Sequence, residues 1–178
     1  MKLFVRIALI SLTALVAGNM AAFAQSRGDK KARPSPNASI SQTIGTTVVS
    51  VNYGRPGLKG RSVESLVSEN KVWRTGANES TAITFSGDVM VGDASISAGT
   101  YSIYSIPEGG KFTVIINSKL SWGTQYDESQ DVARITLPLQ DGPDYEWFTI
   151  DFDTLSNAGA HMNLRWANNW VAVPITVK

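Results

Sequence analysis

Hydrophobic and polar residues alternate along most of the chain beyond residue 38, with a period of two. That period puts every second side chain on the same face of a strand. Ile40, Gln42 and Ile44 share one side of a segment over 39–44. Val49, Val51 and Tyr53 share one side of a segment over 47–53, and Gly45-Thr46 lies between the two. β-Branched residues on both sides of a glycine turn predict a hairpin. From Glu79 onward the pattern is nearly continuous. Thr81, Ile83 and Phe85 face together, short pieces at 89–91 and 95–97 flank Gly92-Asp93, and 100–106 carries Tyr101, Ile103, Tyr104 and Ile106. The run 111–117 is apolar on both faces, with Phe112, Val114 and Ile116 opposite Ile115, which predicts a buried central strand. Further strands are expected at 131–137, 145–153, 160–166 and 170–177, separated by turns at 138–144, 154–159 and Asn168-Asn169. The predicted inward residues are Phe148, Ile150 and Phe152, then Met162, Leu164 and Trp166, then Val171, Val173, Ile175 and Val177. About nine or ten short strands, with no long helical period, predict an all-β fold: a single antiparallel β-sandwich or a flattened barrel.

Two stretches break the alternation. Residues 54–77 hold Gly54, Gly57, Gly60 and Gly76 together with Arg55, Lys59, Arg61, Lys71 and Arg74, and Val63–Val67 reads as one helical turn. Residues 118–130 form a second polar loop, with Trp122, Tyr126, Asp127 and Glu128. So long an irregular connection is unusual in a compact domain and often functional. Its last part, Val72 to Glu79, packs an aromatic, a cation, an amide and a carboxylate into a few residues, with Gly76 to let the backbone turn.

Composition narrows the setting. Lys2 and Arg6, an apolar run over 7–16 and the small-x-small Ala22-Phe23-Ala24 before Gln25 have the form of a secretory signal peptide over 1–24. The apolar run is shorter than the ~20 residues a spanning helix needs. Periplasmic or extracellular location is therefore expected, with cleavage after Ala24 and no membrane span afterwards. Residues 25–37 are polar and proline-containing and read as a flexible linker, and 38–178 as one domain. Losing Lys2 and Arg6 takes Lys+Arg from 16 to 14 against 15 Asp+Glu, a net charge of −1. That balance argues against a nucleic-acid partner, which needs a concentrated basic surface. The chain has no cysteine, so thiol catalysis, iron–sulfur clusters and cysteine zinc sites are excluded. Its one histidine, His161, excludes two-histidine metal motifs. No metal or cofactor is called for.

The candidate chemistry falls into two groups. The loops offer Arg55, Arg61, Trp73, Arg74, Asn78 and Glu79, joined by Trp122, Tyr126 and Asp127. These residues suit a pocket that holds an anion or a sugar acid, and equally a network of Arg–carboxylate bonds that fixes the loops. The strands 145–153 and 160–166 offer a second face with Trp147, Asp151, His161, Asn163 and Arg165, opposite the inward side. Aromatics beside planar polar groups suit sugars, and the same residues suit an ordinary solvated face with cross-strand pairs such as Arg165 with Asp151. His161 has no GxSxG elbow to serve, so no catalytic residue is assigned.

Ser35-Pro36, Tyr53-Gly54-Arg55-Pro56, Lys59-Gly60-Arg61, Val72 to Glu79, Ala98-Gly99-Thr100-Tyr101, Trp122-Gly123, Tyr126-Asp127-Glu128-Ser129 and Leu164-Arg165-Trp166 together resemble the bacterial domain of unknown function 2911 family. The likeness runs over most of 35–175. It departs at Ser68-Glu69-Asn70, where a proline–aromatic–glycine turn is expected. The resemblance implies an exported protein of Bacteroidota-like bacteria and supplies no substrate or reaction. The leading functional expectation is non-catalytic binding of a small ligand or glycan. The alternatives are a structural or interaction domain for an envelope partner and, third, a carboxylate-dependent hydrolase.

Overall fold

The computed structural model describes residues 32–177. The expected signal peptide and the first part of the expected linker lie outside the described residues. Ten strands follow in order: β1 (Asn37–Ile44), β2 (Thr47–Gly54), β3 (Thr81–Phe85), β4 (Val89–Val91), β5 (Ala94–Ile96), β6 (Gly99–Glu108), β7 (Lys111–Asn117), β8 (Asp131–Pro138), β9 (Gln140–Asp153) and β10 (Gly159–Val177). They form a six-stranded sheet in the order β1-β2-β3-β6-β7-β8 and a four-stranded sheet in the order β5-β4-β10-β9. Every pairing is antiparallel. The two sheets pack as an all-β sandwich and do not close into a barrel.

The period-two pattern holds because alternate residues meet between the sheets. Val49, Val51, Ile83, Phe85, Ile103, Val114 and Ile116 from the first sheet join Phe148, Ile150, Met162, Leu164, Val173 and Ile175 from the second in one buried cluster. β7 lies between β6 and β8, one strand in from the edge, and is buried on both faces, as its two apolar faces predict. Its outward Ile115, fully buried, and the neighbouring Tyr104 on β6 are covered by the loop after β7, whose Tyr126 ring lies 4.9 Å from that of Tyr104.

Two predicted turns are strand instead. Asp141-Gly142-Pro143 belongs to β9, and Asn168-Asn169 belongs to β10; Asn169 pairs with Asp141, and Trp170 with Gln140. The reason is a bulged stretch in β10, where the register shifts between Arg165 and Ala167 and again between Ala167 and Asn169, with Ala167 at φ 48°. The inward set changes there from Met162, Leu164 and Trp166 to Val171, Val173 and Ile175. A bulge breaks a period-two pattern in the same way that a turn does. Pro143 is tolerated because β9 is an edge strand.

Candidate ligand-binding cleft

The loop between β2 and β3 is held at three places. Near its start it runs along the outer edge of β9. Phe148 N donates to Pro56 O (2.9 Å) and Leu58 N to Glu146 O (3.0 Å), while Arg55 donates from Nε to Phe148 O (3.0 Å) and from Nη2 to Thr149 Oγ1 (2.7 Å). In the middle, Val67 N donates to Val63 O (2.8 Å), closing the predicted helical turn. Further on, Trp73 and Ser105 of β6 exchange backbone hydrogen bonds of 2.7 and 2.9 Å. Thr75 Oγ1 and Ser105 Oγ are 2.8 Å apart, and Thr81 Oγ1 donates to Thr75 O (2.6 Å). These buried bonds hold Thr75 at φ 50°, a conformation β-branched residues rarely adopt.

That pairing turns Trp73 toward the space between the sheets. Its ring stacks on Trp166 of β10 (5.6 Å, 15° between planes) and meets Phe148 of β9 edge-on (5.1 Å, 76°). Beside these rings opens a cleft of about 440 Å³. Phe112 and Leu139 line one side, Phe148, Leu164, Trp166 and Val171 the other, and Val63 and Val67 of the helical turn close over it. Glu64, Glu69, Glu108, Lys111 and Asn169 also line it, with the Gly109-Gly110 turn. An apolar concavity of this size with a few polar groups is the ordinary form of a small-molecule site. Of the sequence-predicted site residues, Trp73 alone lines it.

The other loop candidates lie elsewhere. Arg55 fastens the loop to β9, and exposed Arg61 donates to the carbonyls of Leu58 (2.9 Å) and Gly57 (3.1 Å) in its own turn. Glu79 is buried and receives Arg33 Nη1 on both carboxylate oxygens (3.0 and 2.8 Å), and Asn78 donates to Ser35 O (3.1 Å). Residues 33–36, expected as linker, are thus bound to the signature segment. Arg74 packs its stem against Gly123 of the second loop, where an added Cβ would lie 2.3 Å from Arg74 Cδ, and its buried Nε has no hydrogen-bond partner among the described residues. Trp122, half exposed, pairs through its backbone with Glu79. Asp127 accepts from Ser129 N and Oγ, which holds its carboxyl below the usual range, and caps the 3-10 turn Glu128–Gln130. Tyr126 donates to Asp131 (2.6 Å); its burial first, and then this bond, push the phenol up to about 12.

On the second face, the cross-strand pair of Arg165 with Asp151 is present, at 2.8 Å. Asp151 also accepts from buried Asn163 (2.7 Å), whose Oδ1 accepts from Trp170 Nε1 (2.8 Å). Arg165 reaches Asp153 as well (3.3 Å) and lies over the Trp170 ring, 4.7 Å from its centroid. His161 Nδ1 is 3.9 Å from Asp153. Trp147 meets Gly57 of the long loop and sits under Lys59 Nζ, 5.7 Å from the ring centroid. The polar groups of this face bind one another. Among the described residues no three His, Asp or Glu side chains converge as a metal site would require.

Sequence reasoning placed Phe148, Leu164 and Trp166 inward but did not gather them into a cleft. The signal for it was the size of Trp166 and Trp73, two large rings competing for one layer of a small sandwich. The acids Glu64, Glu69 and Glu108 carried no local signal. No curated protein and no solved structure matches the chain. A family model described as "Protein of unknown function (DUF2911)" matches residues 35–175, a span that takes in both loops and all but the last two residues of β10. The chain therefore belongs to the DUF2911 family of proteins of unknown function.

Proposed function

We propose that this protein acts outside the cytoplasm, in the periplasm or beyond, and binds a small molecule without catalysis in the cleft between its sheets. The observation that carries the reading is Trp73. The family's signature segment delivers a half-buried tryptophan to the wall of an apolar cleft instead of sealing it inside the core. The lining favours a ligand with an apolar body over a glycan, whose hydroxyls would need many more polar partners than the wall supplies. His161, on the outer face of β10, does not line the cleft. The export reading rests on the form of residues 1–24.

The test is a thermal-shift and tryptophan-fluorescence screen of the chain from Gln25 onward against apolar and amphiphilic small molecules, with sugars and sugar acids as the contrasting set. A ligand at about 100 times its Kd adds about 2.7 kcal/mol. In a domain of this size that raises Tm by roughly 5–10 °C. Val63→Trp, which places a ring over the cleft, should remove the response while leaving the fold intact. Binding that survives in Val63→Trp, or a response confined to sugars, would sink the proposal.

A further inference from the structure

The mouth of the cleft carries unbalanced charge. Glu64, Glu69 and Glu108 all line it and all are exposed, and Lys111 is the one cation in the lining. Glu69 accepts from Gly109 N (2.8 Å), which holds its carboxylate at the Gly109-Gly110 turn, whereas Glu108 accepts from Thr113 Oγ1 (2.8 Å), on the outward side of β7 that also carries Ile115. Among the described residues none of the three is in an ion pair, although Lys111 stands opposite Glu108 in the β6–β7 register. Glu64 is held below the usual carboxylate range by its own backbone N–H and by Ser62, and stays ionised at neutral pH. The floor below is apolar and aromatic, and tryptophan faces attract cations as well as apolar bodies.

Resting on the cleft as the binding site, we infer that its ligand is a hydrophobic cation: an apolar chain or ring that fills the space beside Trp73 and Trp166, ending in an ammonium group at the carboxylate rim. Charge complementarity selects this occupant. An amphiphilic anion would bring its head to a rim with a net charge of −2 from Glu64 and Glu69, since Glu108 and Lys111, opposite each other in the β6–β7 register, offset one another. Unit charges several ångströms apart at a watery rim, with salt present, discriminate by roughly tenfold between a cation and its anionic counterpart.

Three probes with the same tail make the test: decylamine, 1-decanol and decanoate, each below its aggregation threshold, titrated calorimetrically into the chain from Gln25 onward. The expected order of affinity is amine, alcohol, carboxylate, with the amine at least tenfold tighter than the carboxylate in 50 mM salt and the gap narrowing in 500 mM. Replacing the rim with Glu64→Gln, Glu69→Gln and Glu108→Gln keeps the acceptors for Gly109 and Thr113. It should bring amine and carboxylate within about threefold while leaving decanol binding as it was. If decanol binds but the carboxylate matches or exceeds the amine, or if the triple variant keeps the wild-type order, the charge inference is wrong and the cleft reading stands. If none of the three binds, the cleft reading fails and takes this inference with it.

Discussion

Arg33→Met is the most informative single change outside the cleft. Arg33 sits in a polar, proline-containing segment that reads as linker, yet its Nη1 lies 3.0 and 2.8 Å from the two oxygens of Glu79. The side chains are 18% and 8% exposed, so the pair is mostly withdrawn from water. At an effective dielectric near 20, two unit charges at that separation attract by about 6 kcal/mol, most of it offset by the desolvation of both. Removing one member leaves the other charged and buried, which costs about 3–5 kcal/mol for a fully buried pair. Arg33 keeps some contact with water, which places the expected loss below that range, at about 2–3 kcal/mol. For a domain of this size the matching drop in Tm is roughly 4–12 °C. Methionine retains the stem and its packing, so the loss reports the charge. The assay is urea unfolding of wild type, Arg33→Met, Glu79→Gln and the double variant, followed by tryptophan fluorescence. A coupling energy of about 1.5 kcal/mol or more is expected, with the double variant more stable than the two single losses would sum to. A coupling below about 0.5 kcal/mol, with Arg33→Met within a degree of wild type, would show that residues 33–36 do not clamp the loop.

Four further outcomes follow from the geometry. Gly54→Ala would place a Cβ 2.3 Å from Ala77 O and 2.9 Å from its carbonyl carbon, where only backbone movement relieves the clash; a loss of about 2–3 kcal/mol is expected in urea unfolding. Trp73→Ala removes a ring packed on Trp166 and Phe148 and should cost about 3 kcal/mol, the low end for a large aromatic because Trp73 is half-buried; Trp73→Phe should recover most of it. Asp151→Ala takes the acceptor from buried Asn163 and leaves Arg165 only its longer pair with Asp153; it should destabilise by about 2 kcal/mol while leaving any thermal-shift response of the cleft unchanged. Burial, and then the bond to Asp131, push the Tyr126 phenol up to about 12, above the ordinary tyrosine range, so the native state holds its proton more tightly than the unfolded chain. Its contribution to stability is complete below pH 10 and falls as pH rises through 12. Tyr53 is also raised, chiefly by burial, so absorbance at 295 nm should show late tyrosine titration from which Tyr126→Phe removes one step, and that variant should lose less stability between pH 10 and 12 than wild type.

Most of the fold was legible because each strand carries its own period and most junctions carry their own glycine or proline. The hairpin 37–54 and strand β7 come from residues whose partners are near in sequence or whose burial is written on both faces. The misplaced turns share one cause. At 138–144 and 168–169 the local chemistry says turn, but each stretch lends the other its backbone partners across the β9–β10 ladder, and a ladder between residues some thirty apart leaves no local trace. The site was legible in part for the same reason. Trp73 stood out through its loop, whereas Glu64, Glu69 and Glu108 reach the cleft only because the helical turn and the β6–β7 turn meet there. Arg33 was read as linker because an ion pair spanning 46 positions has no signature in its own neighbourhood.

The strip that residues 56–59 lay along β9 has a consequence for how the protein behaves in concentrated solution. β9 is fourteen residues long and pairs on one side only, with β10, and a bare strand of that length recruits other copies of itself. Pro56, Gly57 and Leu58 occupy part of that side with backbone bonds to Glu146 and Phe148, and Gly57 sits so close to Trp147 that a Cβ there would come within 3.0 Å of the ring. A side chain at Gly57 would crowd the Trp147 ring and Glu146, and where these do not give by a few tenths of an ångström the strip is loosened from the strand. Self-assembly of the folded protein should then set in at lower concentration, before the sandwich itself is lost. The same loop, through Val63 and Val67, also lines the cleft, so one segment covers both the cleft and the unpaired side of β9.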